Sequence, residues 1–117
     1  MVFLQYPPCT TCKKAKAFLD SKGIGYTDRH IKEENPSFEE LQQWYKQSGL
    51  PLKKFFNTSG LLYKSMELKE KLPGMSEQEQ LQLLSSDGML VKRPILILDD
   101  TVLVGFRQAE WEAALSR

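Results

Sequence analysis

The chain has 117 residues, of which 41% are hydrophobic and 26% charged, the balance of a globular chain rather than a disordered one. Its 16 Lys and Arg against 15 Asp and Glu leave a net charge of +1, which excludes the electrostatic footprint of a non-specific nucleic-acid binder. The longest apolar run, Ile95-Leu96-Ile97-Leu98, is too short to span a bilayer, and the N-terminus has no basic segment followed by a long apolar one. These features predict one domain over 1–117, cytoplasmic and monomeric, with no membrane or direct nucleic-acid partner.

Val2-Phe3-Leu4-Gln5-Tyr6 reads as a short buried strand, stopped by Pro7-Pro8 because neither proline can donate to a ladder. A helix is predicted from Thr10 or Thr11 to about Lys22, with Ala15, Phe18 and Leu19 on one face and Gly23 at its C-terminal cap. A second strand lies within Gly25-Tyr26-Thr27-Asp28-Arg29-His30-Ile31. Strand, helix and strand in so short a span form a βαβ unit, so the two strands are expected to be parallel.

The stretch from about 34 to 90 is predicted to be mainly helical. Ser37 with Glu40 and Ser76 with Glu79 have capping-box spacing. Phe38, Leu41, Trp44 and Tyr45 recur at helical spacing, and the aromatics are expected to pack in the core. A short helical turn is expected over 50–54 and a helical piece over 66–72, ended by Pro73-Gly74. Then Ile95-Leu96-Ile97-Leu98 and Thr101-Val102-Leu103-Val104-Gly105 read as a β-hairpin around Asp99-Asp100. A terminal helix follows from Gln108 to Leu115, its inner face chosen from Ala109, Trp111 or Glu112, and Leu115. The order β-α-β, helical insert, β-β-α predicts an α/β protein with a mixed four-stranded sheet, the parts of a thioredoxin-like fold.

The chemistry-bearing stretch is Cys9-Thr10-Thr11-Cys12, which holds the chain's two cysteines. In a cytoplasmic protein such a pair is catalytic, redox-sensing or metal-binding rather than a staple. At a strand-to-helix turn, unpaired N–H groups and the positive helix end favour thiolate at Cys9, and Lys13 and Lys14 are expected to add positive charge. Cys9 is therefore the expected nucleophile, and the more buried Cys12 the resolving thiol that closes the disulfide. A zinc site would lack a second cysteine pair, and His30 is the one histidine. Inert buried cysteines remain an alternative. His30 is expected at a strand end, without a role as base. In thioredoxin-like folds a cis-proline opens the strand after the insert and faces the dithiol. Lys92-Arg93-Pro94-Ile95 fits that position and would set Arg93 beside the sulfurs as an oxyanion or thiolate partner.

Four segments carry a family resemblance: Tyr6-Pro7-Pro8-Cys9-Thr10-Thr11-Cys12-Lys13-Lys14-Ala15-Lys16, Phe56-Asn57-Thr58-Ser59-Gly60, Ser86-Asp87-Gly88-Met89-Leu90-Val91-Lys92-Arg93-Pro94 and Val104-Gly105-Phe106. In sequence and order they resemble the bacterial arsenate reductase / Spx / MgsR family of thioredoxin-fold proteins. The resemblance implies a nucleophile at Cys9 and an oxyanion cradle that includes Arg93 beside Pro94. Arg107 lies near the family's late arginine. The family's first arginine falls on Ser59, with Lys64 the nearby basic residue, so the cradle is incomplete. Cys12 stands where the arsenate-reducing branch commonly has serine. A thiol–disulfide oxidoreductase is thus implied, with no bound cofactor or metal and with glutathione, glutaredoxin or thioredoxin as external reductant. The alternative implied is a Spx-like redox sensor that binds the C-terminal domain of the RNA polymerase α subunit.

Overall fold

Alternation along three short strands explains the layered architecture. In β1 (Val2–Gln5), Phe3 faces one core and Leu4 the other. In β3 (Ile95–Ile97), Ile95 and Leu96 divide the same way, as do Val102 and Leu103 in β4 (Val102–Val104). Side chains at successive strand positions point to opposite faces, so a sheet apolar at both parities must be covered on both sides. The computed structural model describes residues 1–116. Its sheet has the order β2-β1-β3-β4, with β2 (Thr27–His30) parallel to β1 and the other two pairings antiparallel. This is the mixed thioredoxin-like sheet predicted from the element order.

On one face, α1 (Thr10–Ser21) and α6 (Gln108–Leu115) bury Ala15, Phe18, Leu19 and Trp111 against Phe3, Leu96 and Leu103. The inner face of α6 centres on Trp111, whereas Ala109 is exposed, because the Trp111 indole also donates to the Gly105 carbonyl (3.0 Å) and sets the helix rotation. The helices between β2 and β3 cover the other face. They are α2 (Phe38–Ser48), α3 (Leu61–Ser65), α4 (Leu68–Lys71) and α5 (Glu77–Ser86). Both capping boxes form: the Ser37 hydroxyl accepts from the Glu40 N–H and the Ser76 hydroxyl from the Glu79 N–H, each at 3.1 Å. Each satisfies orphan donors of a helix start and stabilises it by about 1 kcal/mol. The Glu40 carboxylate also receives both Arg29 terminal nitrogens, at 2.7 and 2.9 Å, tying α2 to β2. The Arg29 guanidinium, against some burial and with help from Ser37, pulls the Glu40 carboxyl down to about 2.

The helical piece expected over 66–72 is split. α3 begins earlier, at Leu61, and Glu67, in the left-handed region (φ 54°), breaks the run before α4. Within the insert one extended segment returns to the sheet side. Phe56 bridges Val91 antiparallel, the Asn57 N–H donates to Leu90 O (2.8 Å) and the Lys92 N–H to Phe55 O (2.7 Å). Those bonds hold the turn of 3-10 helix at Leu52–Phe55 against the start of β3. The segment preceding it is fixed from another side. Gly88 lies against the end of β2, and a Cβ there would collide with the Ile31 carbonyl. Since the obstacle is backbone, Gly88→Ala should cost about 2 kcal/mol or more in urea unfolding, a typical overpacking penalty, whereas Gly74→Ala, in open space, should cost well under 1 kcal/mol.

Candidate active site

The site grows out of the end of β1. Because Pro7 and Pro8 cannot donate, the chain leaves the ladder and turns, and the Cys9 N–H closes that turn on Tyr6 O (2.9 Å). The turn makes Cys9 the N-cap of α1 in extended conformation (φ −72°, ψ 125°) and places Cys12 one turn in. Cys9 is partly exposed; Cys12 is fully buried, its sulfur accepting the Tyr6 N–H at 3.5 Å. Both thiols are free.

Opposite the turn, β3 begins with a cis Arg93–Pro94 peptide, as the sequence leads one to expect. Pro94 is buried, and its carbonyl accepts the Gly105 N–H at 2.8 Å. The Arg93 guanidinium lies over the Tyr6 ring, its Cζ 5.1 Å from the ring centroid, a cation–π geometry. The Tyr6 ring is in turn packed edge-on with His30, at a centroid separation of 5.7 Å. His30 lies at the end of β2, where its Nδ1 accepts the backbone N–H groups of Lys32 and Glu33, both at 3.2 Å.

This setting separates the two thiols. Partial burial opposes ionisation of Cys9, but the Cys12 N–H, the Cys12 thiol and the Arg93 guanidinium outweigh it and hold the Cys9 thiol below its ordinary value. Burial dominates at Cys12. The Tyr6 N–H and Arg93 offset only part of it, and the proximity of Cys9 adds to it, so the Cys12 thiol is pushed up to about 12. Lys13 and Lys14, expected to supply positive charge, lie exposed along α1, and the groups that act on Cys9 are Cys12 and Arg93.

Beside this centre runs a cleft of about 530 Å³. Arg93 and Arg107 both line it, Arg107 from the N-cap of α6. Lys64 does not: it is exposed on α3, and Thr58 rather than Ser59 contributes to the wall. Sequence reasoning missed Lys53, Lys54 and Lys92, which the 55–57 to 90–92 pairing brings to the cleft. It also missed Tyr6, the seat of Arg93; the only available signal was its position just before the prolines.

A thiol pair at a helix start, facing a cis-proline strand on a mixed four-stranded sheet, defines this as a thioredoxin-like protein with a C-x-x-C site. More particularly, the chain belongs to the ArsC family, whose model matches residues 4–114. It is 53% identical to the uncharacterized protein YusI of Bacillus subtilis, over 96% of this chain and 95% of that one. The regulatory protein MgsR of Bacillus subtilis is 29% identical over 94% of this chain and 86% of its own length. Among solved structures, an ArsC family related protein from Bacteroides fragilis shares 54% identity and a TM-score of 0.94, covering 96% of this chain and 94% of that one.

Arg93 is the one full charge that acts on both sulfurs. In Arg93→Gln the Cys9 midpoint, followed by thiolate ultraviolet absorbance, should rise. Alkylation of Cys9 by iodoacetamide should then need a higher pH than in the parent chain to reach the same rate, because only the thiolate reacts. Cys12 should resist alkylation in both until strongly alkaline pH.

Proposed function

We propose that the chain is a thiol–disulfide oxidoreductase in which Cys9 attacks and Cys12 resolves. The observation that carries this reading is the different setting of the two thiols: Cys9 is partly exposed at the start of α1, with the Arg93 guanidinium lowering its pKa, and Cys12 is buried one turn further in. In the first step the Cys9 thiolate attacks a substrate disulfide. A Cys9–substrate disulfide forms, the substrate bond breaks, and the departing sulfur leaves as thiolate and takes up a proton. Next, Cys12 gives up its proton and attacks the Cys9 sulfur, closing Cys9–Cys12 and releasing the second substrate thiol. Two electrons pass from the dithiol to the substrate, and an external thiol reductant such as glutathione, glutaredoxin or thioredoxin returns them. No bound cofactor is required.

The buried Cys12 is protected from direct reaction yet lies one helical turn from the sulfur it must reach. Its high pKa also makes it a poor competitor for substrate and suits it to an intramolecular second step, where proximity replaces acidity. Reduction of arsenate is the narrower version of this reading. Arg93 and Arg107 share the cleft and could hold a tetrahedral oxyanion, but Ser59 at the position of the family's first arginine and the distance of Lys64 from the cleft weigh against it.

A second reading follows from the match to the regulator MgsR over most of both chains. There the same dithiol would act as a sensor whose closure changes binding to the RNA polymerase α subunit. Pull-down with the α C-terminal domain, using reduced and oxidised chain, separates the two; capture in neither state removes the regulatory reading.

With mild peroxide, intact-mass analysis should show the parent chain lose two hydrogens as Cys9–Cys12 closes. Cys12→Ser should instead accumulate a mixed disulfide with an added substrate thiol, and Cys9→Ser should lose turnover by at least about a thousandfold, as expected for removal of a nucleophile. A parent chain that never closes the disulfide would overturn the two-thiol mechanism.

A further inference from the structure

The cleft beside the dithiol concentrates positive charge that the chain as a whole does not carry. Net charge is +1, yet Lys53, Lys54, Lys92, Arg93 and Arg107 all line this one cleft, and Glu110 is the one carboxylate among its lining residues. None of the five cations forms an ion pair among the described residues; the cations that do are Lys16, Lys22 and Arg29, elsewhere on the molecule.

The shape of the charge narrows what would fill it. A volume of about 530 Å³ far exceeds one tetrahedral oxyanion. Small-molecule pockets of that size are mainly apolar with a few polar groups, whereas here five cations share the lining with the apolar Leu50, Phe56, Val104 and Phe106. Basic side chains around a modest apolar floor match an extended peptide that presents several carboxylates. The cations also come from three separate parts of the fold: the 3-10 turn of the insert, the head of β3 and the N-cap of α6. Their backbone positions are thus set by three separate packed elements rather than by one loop.

We infer that this cleft is a docking subsite for an acidic peptide segment of a protein partner, and that Lys53 and Lys54 are its specificity-determining residues. The inference deepens the oxidoreductase reading and rests on it for the statement that the partner's disulfide is then presented to Cys9. Docking itself is a matter of charge. It raises the encounter rate and the local concentration of acidic partners and discriminates against basic ones.

Two measurements on the full chain test this. Fluorescence anisotropy reads the binding of a labelled, cysteine-free peptide rich in Asp and Glu against a Lys-rich peptide of the same length. The acidic peptide should bind at least about tenfold more tightly at low ionic strength, with the difference largely removed by molar salt. In Lys53→Glu/Lys54→Glu the preference should fall to near parity, while Lys69→Glu/Lys71→Glu, which makes the same charge change on α4 outside the cleft, should keep it. Equal binding of the two peptides, or equal loss in both double variants, overturns the proposal. Separately, the pre-reduced chain is mixed with acidic and neutral cysteine peptides carrying a thiopyridyl disulfide, and thione release is followed over one turnover. Faster release from the acidic peptide supports presentation to Cys9. Binding of the acidic peptide without thione release from either keeps the docking subsite and overturns the oxidoreductase reading instead.

Discussion

Everything at the site depends on the antiparallel pairing of β1 with β3. The register sets Leu4 opposite Ile95 and Val2 opposite Ile97. Continued by one more pair on the same face, it brings Tyr6 opposite Arg93, and there the guanidinium lies over the ring. The two strands run in opposite directions, so the exit of β1, which becomes the cysteine turn, meets the entrance of β3, which is the Arg93–Pro94 peptide. A slip of one residue would turn every β3 side chain to the other face and exchange the two cores. Because Phe3 and Leu96 fill one core and Leu4 and Ile95 the other, that slip would force both close-packed cores to repack. Strand register between two packed cores thus positions a charge beside a thiol.

The same frame makes two chemically identical side chains unequal. Cys9 caps the helix at the protein surface, where donors and a cation converge on it. Cys12 is carried inward by the first turn of α1, beneath the β1 exit, where desolvation governs. Distance from solvent, rather than residue type, separates the thiol whose pKa is lowered from the one whose pKa is raised. Beside this pair the fold collects five cations around one cleft, with Glu110 as the one carboxylate among its lining residues. An almost neutral chain can therefore present a positive cleft next to its thiol pair.

Much of the framework was legible in the residues. The short continuous apolar runs, both capping boxes, the Pro7-Pro8 stop and the C-x-x-C pair are local signals, and the elements they announce are present. Arg93–Pro94 was legible too, once the strand order suggested its place. Other features were not. Lys13 and Lys14 follow Cys12 in sequence, yet both are exposed along α1 and the groups that act on Cys9 are Cys12 and Arg93. Lys64 is close in sequence to the expected oxyanion segment, yet α3 carries it away from the cleft. Lys53 and Lys54 had no local signal at all, because only the return of residues 55–57 to pair with 90–92 brings them to the cleft that Arg93 lines.

Sequence alone determined the type and order of the elements, the location of the thiol pair and the strand carrying the arginine. These follow from short-range physics: side-chain periodicity, caps and proline's missing donor. Tertiary structure decided which cations reach the site, which aromatic ring holds Arg93 and how far each sulfur lies from water. Those depend on strand register and on contacts between segments distant in the chain, which set the charge and desolvation around a side chain and are not encoded by its immediate neighbours.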